Sequence, residues 1–282
     1  MKKVLLILIL SFSLVGCNKK TLKESILEND IIDSNVIWTN GWQESDSSGL
    51  YSNDTNNGTT YYFRGNPKNN YLKFNDLDFR IVRINEDGSI RLILSNSIDN
   101  KTYEFNNSYK DYNYIYYSNS SIKSIIDDWY VNTITSKEKV VVSDFCEQAK
   151  VIWNNDYEIK NVSAATRENY TPTFNCENDG NGKGNLKLSV GLITYDEIFY
   201  AGGSYIENNK FNYYLKNKQT YWTMSPAGFY ENRVADVWHV YKNGFLDYDY
   251  VNDDIYIRPV INIKGDVIVK GNGTKDNPYV VK

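Results

Sequence analysis

Three pairs of apolar segments along the chain are each joined by a short polar turn, and each pair predicts a β-hairpin. Alternating apolar and polar positions are typical of strands that bury one face, and Asn-Gly and Asp-Gly steps favour the tight turns between antiparallel strands. The turns are Asn56-Asn57-Gly58, Glu86-Asp87-Gly88-Ser89 and Asn243-Gly244, and the flanking strands are residues 49–51 with 60–64, 79–84 with 90–94, and 235–240 with 245–250.

Two further segments have helical periodicity. The first helix is indicated by apolar residues that fall on one helical face: Ile122, Ile125, Ile126, Trp129 and Tyr130. Ser118 and Ser120 precede them and can cap the start of the helix. In the second, Thr194 and Glu197 have the spacing of a capping box, and Gly202-Gly203 is a helix stop.

Strand-like segments return near the C-terminus at residues 221–224, 255–263 and 266–270. Pro259 lacks an amide hydrogen, so it cannot donate a ladder hydrogen bond, and the segment 255–263 cannot be a fully paired central strand on the side of that amide. The order strands, helix, long polar loop, helix and strands predicts an α+β fold, because a parallel sheet requires alternating β-α-β units.

The N-terminus predicts export and lipid attachment. Lys2 and Lys3 precede an uncharged apolar run at residues 4–15, which is too short to span a bilayer. The run ends in Leu14-Val15-Gly16-Cys17, which matches the bacterial lipobox. We therefore expect a signal peptide at residues 1–16 and a diacylglyceryl group on Cys17, which would hold the chain on the extracytoplasmic face of the cell membrane. The alternative is an ordinary signal peptide with a chance cysteine.

Residues 17–48 are polar, and Leu22, Ile26, Leu27 and Ile31 could form only a short amphipathic helix. We interpret this segment as a lipid-anchored tether with a weak helix. The folded domain is predicted to span residues 49–282.

Composition narrows the possible functions. The net charge is -4, or about -6 without the two leader lysines, and no basic cluster is present, which argues against nucleic-acid binding. Tyrosine is abundant at 25 residues. The excess is explained either by an adhesive, sugar-stacking surface or by a codon bias that also raises Asn, Ile and Lys.

Cys146 and Cys176 are the cysteines that remain after Cys17. Outside the cytoplasm an isolated pair favours a disulfide, and closing a loop of about 30 residues stabilises a fold by roughly 3.6 kcal/mol in the chain-entropy model. A free thiol is the alternative.

Several motifs resemble a family of uncharacterised, Tyr-rich surface proteins of Gram-positive bacteria. They cover the chain from about residue 49 onward and include Tyr61-Tyr62-Phe63-Arg64-Gly65, Phe79 to Ser89, Val190 to Glu197, Tyr221 to Pro226 and Arg258 to Lys264. The closing motifs are similar to C-type-lectin-like folds. The resemblance implies a C-type-lectin-like architecture with a twisted antiparallel sheet, two helices and long loops that carry the ligand site; it implies no particular chemistry.

Metal and catalytic sites are weakly indicated. Glu177, Asp179 and Asn181 have the spacing of an EF-hand loop, but Leu188 stands where a bidentate glutamate is required. The carboxylates at 247, 249, 253 and 254 could hold a cation or could simply be solvated. His239 is expected in a strand with one face toward solvent. We expect no resident metal ion, no cofactor and no catalytic residue.

The aromatic C-terminal sector is the favoured ligand site. We expect Trp222 and Trp238 in the core, and the arginines at 80, 83 and 258 in structural pairs. The predicted ligand-binding residues are Phe229, Tyr230, Tyr248, Tyr250 and Asp253, the first two in a loop at 226–232.

We therefore expect a non-enzymatic surface lipoprotein that binds a glycan or an extracellular protein. The alternatives are a polysaccharide hydrolase with paired carboxylates and a structural envelope protein.

Overall fold

The computed structural model describes residues 19–32, 48–147, 151–153, 159–161, 172–176, 184–203, 212–229 and 234–282. Three α-helices occur in these ranges: α1 (Leu22–Leu27), α2 (Ser121–Thr133) and α3 (Tyr195–Ala201). Single-turn 3-10 helices lie at Tyr112–Ile115, Tyr117–Asn119 and Lys137–Lys139. None of the described helices is long and apolar enough to cross a membrane.

Strands make up most of the regular structure. In chain order they are β1 (Ile31–Ile32), β2 (Gly49–Thr55), β3 (Gly58–Arg64), β4 (Tyr71–Phe74), β5 (Leu77–Ile84), β6 (Ile90–Leu94), β7 (Tyr103–Glu104), β8 (Ser143–Cys146), β9 (Val151–Trp153), β10 (Ile159–Asn161), β11 (Asn185–Leu188), β12 (Val190–Gly191), β13 (Tyr221–Phe229), β14 (Ala235–Val240), β15 (Leu246–Tyr250), β16 (Asp254–Ile255), β17 (Val260–Ile263), β18 (Val269–Lys270) and β19 (Tyr279–Val281). The predicted α+β class is confirmed.

Two sheets organise the described chain. The larger runs β1-β2-β3-β5-β4-β19-β18, and it branches at β5 through β6 and β17 to β12. The smaller sheet has the order β15-β14-β13-β10-β9, so β15 is one of its edges. Two separate strand pairs, β11 with β8 and β16 with β7, complete the pairing. One apolar core extends from Leu22 to Tyr279 and joins the helices to both sheets.

All three predicted hairpins are confirmed: β2 with β3, β5 with β6, and β14 with β15. Each turn contains a glycine with positive φ, a backbone conformation that costs glycine little. The strand predicted at 255–263 is divided instead. Its start pairs with β7 and its end with β6 and β12, with Pro259 between the two ladders.

The segment that contains α1 was interpreted from sequence as part of a tether, but it is packed against the rest of the protein. Thr21 and Glu24 form a capping box, and Leu22 and Ile26, one helical turn apart, are both fully buried. The Leu22 amide donates to the carbonyl of Val267 at 2.8 Å. Residues 19–32 thus pack on the folded domain, because one apolar helical face covers core that would otherwise be exposed.

Helices α2 and α3 lie where the sequence predicted them. Ser120 is the N-cap residue of α2, but its hydroxyl donates to Tyr117 instead of capping the helix. In α3 both capping-box hydrogen bonds between Thr194 and Glu197 are present, and Gly202 ends the helix with a φ of 104°.

The disulfide between Cys146 and Cys176 is present, with its Cα atoms 5.2 Å apart. The bridge lies next to a small aromatic cluster. Phe174 stacks on Tyr200 with ring centroids 3.8 Å apart, and Tyr62 meets Tyr200 edge-on at 4.8 Å. The disulfide therefore joins β8 to a second, aromatic core.

Buried arginines hold several elements together. Arg83 and Arg91 both contact Glu197, whose side chain is 3% exposed; we call these three residues the Glu197 network. Arg80 and Arg258 are also buried. The arginines at 80, 83 and 258 are buried, as expected of structural residues, but only Arg83 is paired with carboxylates; Arg80 and Arg258 donate to neutral oxygens.

Candidate functional site

The hairpin of β14 and β15 carries most of the predicted ligand residues. Its turn is closed by the Tyr241 amide, which donates to Phe245, and by the Gly244 amide, which donates to Tyr241, both at 2.7 Å. Because β15 is a sheet edge, side chains along it have one flank without a neighbouring strand.

The strand register places four side chains on one face of this hairpin. Trp238 lies opposite Tyr248, and Asp236 lies opposite Tyr250, and directly opposed residues share a face. Tyr248 and Tyr250 are 42% and 51% exposed, whereas Trp238 and Asp236 are buried. The Trp238 ring meets the Tyr248 ring edge-on at 5.2 Å, so it supports the exposed ring from the adjacent strand.

Asp253 lies in the turn after β15, where its amide donates to the Tyr250 carbonyl at 2.9 Å. We call Asp236, Trp238, Tyr248, Tyr250 and Asp253 the tyrosine–carboxylate site. Its two buried members each leave a polar atom, Asp236 Oδ1 and Trp238 Nε1, without a hydrogen-bond partner in the described chain.

The carboxyl groups near this site hold their protons to unusually high pH. Burial, reinforced by the charges of Asp249 and Asp253, raises the pKa of Asp236 to about 7. Burial and the charges of Asp253 and Asp247 raise the pKa of Asp249 to about 6. Burial also raises the pKa of Asp253. Asp236 is therefore only partly ionised near neutral pH.

His239 was expected to present one face to solvent, and this expectation is wrong. The side chain is 1% exposed, because β14 is an inner strand of its sheet. Its Nδ1 lies 3.6 Å from Asp249 Oδ2, and burial lowers the pKa of the imidazole to about 4. The ring is therefore neutral at physiological pH.

Phe229 was predicted as an exposed loop residue, whereas it is only 7% exposed. Strand β13 continues through the predicted loop, and Phe229 lies between Ala235 of β14 and Ile159 of β10. Register shifts on both sides of Pro226 let the proline remain in this strand without a regular ladder. Neighbouring strands on both sides bury the phenylalanine.

Other predicted positions fall outside the described residues: Cys17, Tyr230 and the EF-hand-like segment 177–182. Leu188 is in β11, opposite Ser143. Trp222 and Trp238 are 0% and 5% exposed, which confirms that both belong to the core. Within the described ranges, no three His, Cys, Asp or Glu side chains are grouped to hold a metal ion.

Comparison of this chain with known protein families, with curated proteins and with solved structures gives no match.

Sequence reasoning missed Asp236, which completes the site. The available signal was a carboxylate inside the apolar run Ala235-Asp236-Val237-Trp238. A charged residue between strand-forming apolar residues is rare without a partner or a function. Only the strand register shows that Asp236 lies on the same face of the hairpin as Tyr248 and Tyr250.

Replacing Asp236 with Asn is expected to stabilise the protein in a pH-dependent manner. The folded-state pKa lies above the unfolded value, so wild-type Asp236 favours folding below about pH 4, and this contribution is lost as the pH rises toward 7. Asn cannot ionise, so Asp236→Asn should be more stable by about 1–3 kcal/mol at pH 8 and nearly equal to wild type at pH 4. Urea denaturation of the full chain at both pH values measures this difference.

The comparison between variant and wild type also separates the contribution of Asp236 to the pH dependence of stability from that of His239. The lowered histidine pKa acts in the opposite direction, adding stability as the pH rises from 4 to 6.5, and it is present in both proteins. Asp254→Asn, at an exposed position in the same region, is the control and should show no such pH dependence. Equal curves for Asp236→Asn and wild type at pH 8 would contradict the assignment.

Proposed function

We propose that this chain is a bacterial lipoprotein held on the extracytoplasmic face of the membrane, and that its folded part binds a glycan without catalysis. The tyrosine–carboxylate site is the proposed binding surface. The observation that carries the proposal is the pair of exposed tyrosine rings on the edge strand β15, supported by a buried tryptophan.

Aromatic rings with a polar tip suit sugars. The apolar face of a pyranose stacks on a ring, while hydroxyl groups reach polar atoms around it. Alternate residues of a strand are about 6.6 Å apart, so Tyr248 and Tyr250 present two neighbouring rings. Two rings at this spacing can contact successive units of an extended chain of sugars.

The buried polar atoms add a means of orientation. Asp236 Oδ1 is an acceptor when the carboxyl group is ionised, and Trp238 Nε1 is a donor. Both atoms are enclosed in the described structure, so a sugar hydroxyl group pairs with them only after a side-chain movement that exposes them.

We also propose that the α+β fold has a C-type-lectin-like architecture. The Trp222-to-Pro226 and Arg258-Pro259 motifs support a C-type-lectin-like architecture, as does the combination of short helices with a large sheet that is antiparallel except for the β1–β2 and β4–β19 pairs. In that architecture long loops carry the ligand. The site proposed here lies instead on a hairpin face and its following turn.

Binding of the detergent-solubilised full chain to a glycan array tests the proposal. Tyr248→Ala and Tyr250→Ala should each weaken binding to the selected glycan by about tenfold, because each removes one stacking ring. Tyr241→Ala is the matched control, since Tyr241 is 39% exposed on the same hairpin but lies beyond the site. Its affinity should equal that of wild type.

Two results would count against the proposal. One is glycan binding that persists unchanged in the Tyr248→Ala/Tyr250→Ala double variant. The other is binding of a protein ligand at this surface with no glycan bound. Addition of a chelator is expected to leave binding unchanged.

A second candidate function is hydrolysis of a polysaccharide by paired carboxylates. The observation that favours it is the pKa of Asp236, which burial and the charges of Asp249 and Asp253 raise to about 7, because a general acid must hold its proton near neutral pH. Asp253 is the second carboxylate of the site, whereas Asp249 lies opposite Val237, on the other face of the hairpin. Release of reducing ends from the bound glycan, abolished in Asp236→Asn, would establish this activity in place of simple binding.

A further inference from the structure

A cationic cavity lies at the opposite end of the β14–β15 hairpin from the tyrosine–carboxylate site. Its volume is about 320 Å³, and its lining includes Arg80, Lys216, Lys218 and Lys242. No carboxylate is among the described lining residues. We call it the lysine pocket.

The three lysines of the pocket are available to a ligand. Lys216, Lys218 and Lys242 are exposed, and none takes part in a salt bridge in the described structure. They come from two separate segments, the loop at 212–220 and the hairpin tip. The Tyr213 hydroxyl donates to the Gly244 carbonyl at 2.7 Å and so joins these two segments.

The wall of the pocket adds the positive charge of Arg80, which forms no ion pair in the described part of the chain. Arg80 is 8% exposed, and its polar partners are the neutral oxygens of Asn70 and Pro67. Its guanidinium stacks on the Tyr71 ring at 3.8 Å. Burial lowers the pKa of Arg80 to about 10, and the positive charge of Arg258 acts in the same direction.

Arg258, 2% exposed, is held in the same way by neutral groups. It donates to the carbonyl oxygens of Leu94 and Leu215 at 2.9 and 3.0 Å, and its guanidinium lies over the Tyr221 ring. Neither guanidinium group has a carboxylate partner among the described residues, so both make the cavity electropositive. An anion in the pocket would supply the missing charge.

We propose that the lysine pocket binds a phosphate group. Lysine ammonium groups are compact point charges and common phosphate ligands, and here three of them line one cavity together with Arg80. The phosphate can belong to a free ion or to a phosphodiester polymer, since both present the same charged oxygens. This site is separate from the glycan surface proposed above, and neither depends on the other.

Titration of the full chain with inorganic phosphate and with a glycerol phosphate diester polymer tests this site. Lys216→Gln/Lys218→Gln/Lys242→Gln should reduce the affinity for both probes by about tenfold or more. The matched control is Lys101→Gln/Lys264→Gln/Lys275→Gln, which makes the same change of net charge at exposed positions elsewhere. The control should retain most of the affinity.

Much tighter binding of the polymer than of the free ion would identify the polymer as the ligand, and equal binding per phosphate would identify the ion. Equal losses in the two triple-lysine variants, or no binding of either probe by wild type, would overturn the proposal.

Discussion

Replacing Glu197 with Gln is expected to lower the free energy of unfolding by about 3–5 kcal/mol. Glu197 is the common carboxylate of the Glu197 network: it is paired with Arg91, which is 1% exposed, and its Oε1 lies 3.5 Å from Arg83 Nε. Without that charge Arg91 has no carboxylate partner in the described chain, and Arg83 keeps only Glu86. An unpaired buried cation costs far more than a lost surface ion pair.

Glutamine keeps the size of the side chain and an oxygen that can still accept from the Thr194 amide, as Glu197 Oε2 does at 3.0 Å. The substitution therefore tests the charge rather than the helix cap. Glu24→Gln is the matched control, because Glu24 has the same capping-box role with Thr21 but is exposed and has no arginine partner. Urea midpoints should fall strongly for Glu197→Gln and hardly change for Glu24→Gln.

A double variant tests whether the unpaired charge of Arg91 causes the loss of stability in Glu197→Gln. Arg91→Met combined with Glu197→Gln removes the unpaired guanidinium and leaves a side chain that can still pack on Phe145, which now lies 4.1 Å from the Arg91 guanidinium carbon. The double variant should recover part of the loss. Equal stability of the single and double variants would show that the unpaired Arg91 charge is not the cause.

The parts of the fold that sequence predicted are those that local chemistry determines. The turn at Asn243-Gly244 requires a residue that accepts positive φ, and Gly244 has a φ of 92°. Thr194, Glu197 and Gly202 mark the two ends of α3 through hydrogen bonds within a few residues. Such signals depend on neighbours along the chain, so they can be read without knowing the topology.

The parts that sequence did not predict depend on distant partners. Leu22 and Ile26 show an apolar face, and backbone pairing of residues 21–23 with residues 265–268, near the other end of the chain, holds that face in the core. Phe229 has a loop-like neighbourhood in sequence, and β10 and β14 bury it. Burial is a property of the assembled sheets, which residue order alone does not specify.

The candidate sites also contain residues that local sequence identifies and residues that only the folded structure brings together. The pattern of β15 identifies Tyr248 and Tyr250, since an alternating strand after an Asn-Gly turn must place some of its aromatic residues outward. Asp236 joins them only through the register of β14 against β15. The lysine pocket draws its charged lining from three separate segments, so no local motif marks it.

Loss of the Cys146–Cys176 disulfide is expected to have the second largest effect. The bridge spans 30 residues, which corresponds to about 3.6 kcal/mol of lost stability in the chain-entropy model. It also positions side chains that pack on the Glu197 network. Phe145, next to Cys146, lies under Arg91, and Phe174, two residues before Cys176, lies 4.6 Å from the Arg83 guanidinium carbon.

Urea denaturation of Cys146→Ala/Cys176→Ala should therefore show a loss of about 3–4 kcal/mol relative to the oxidised wild type. Reductant should bring wild type to nearly the same midpoint and should leave the double variant unchanged, which separates the bridge from other effects of the reagent. Because the bridge also holds Phe174 against Arg83, the reduced protein should lose more stability in wild type than in the Glu197→Gln background, where the network is already broken. Equal losses in the two backgrounds would mean that the disulfide acts on the unfolded chain alone.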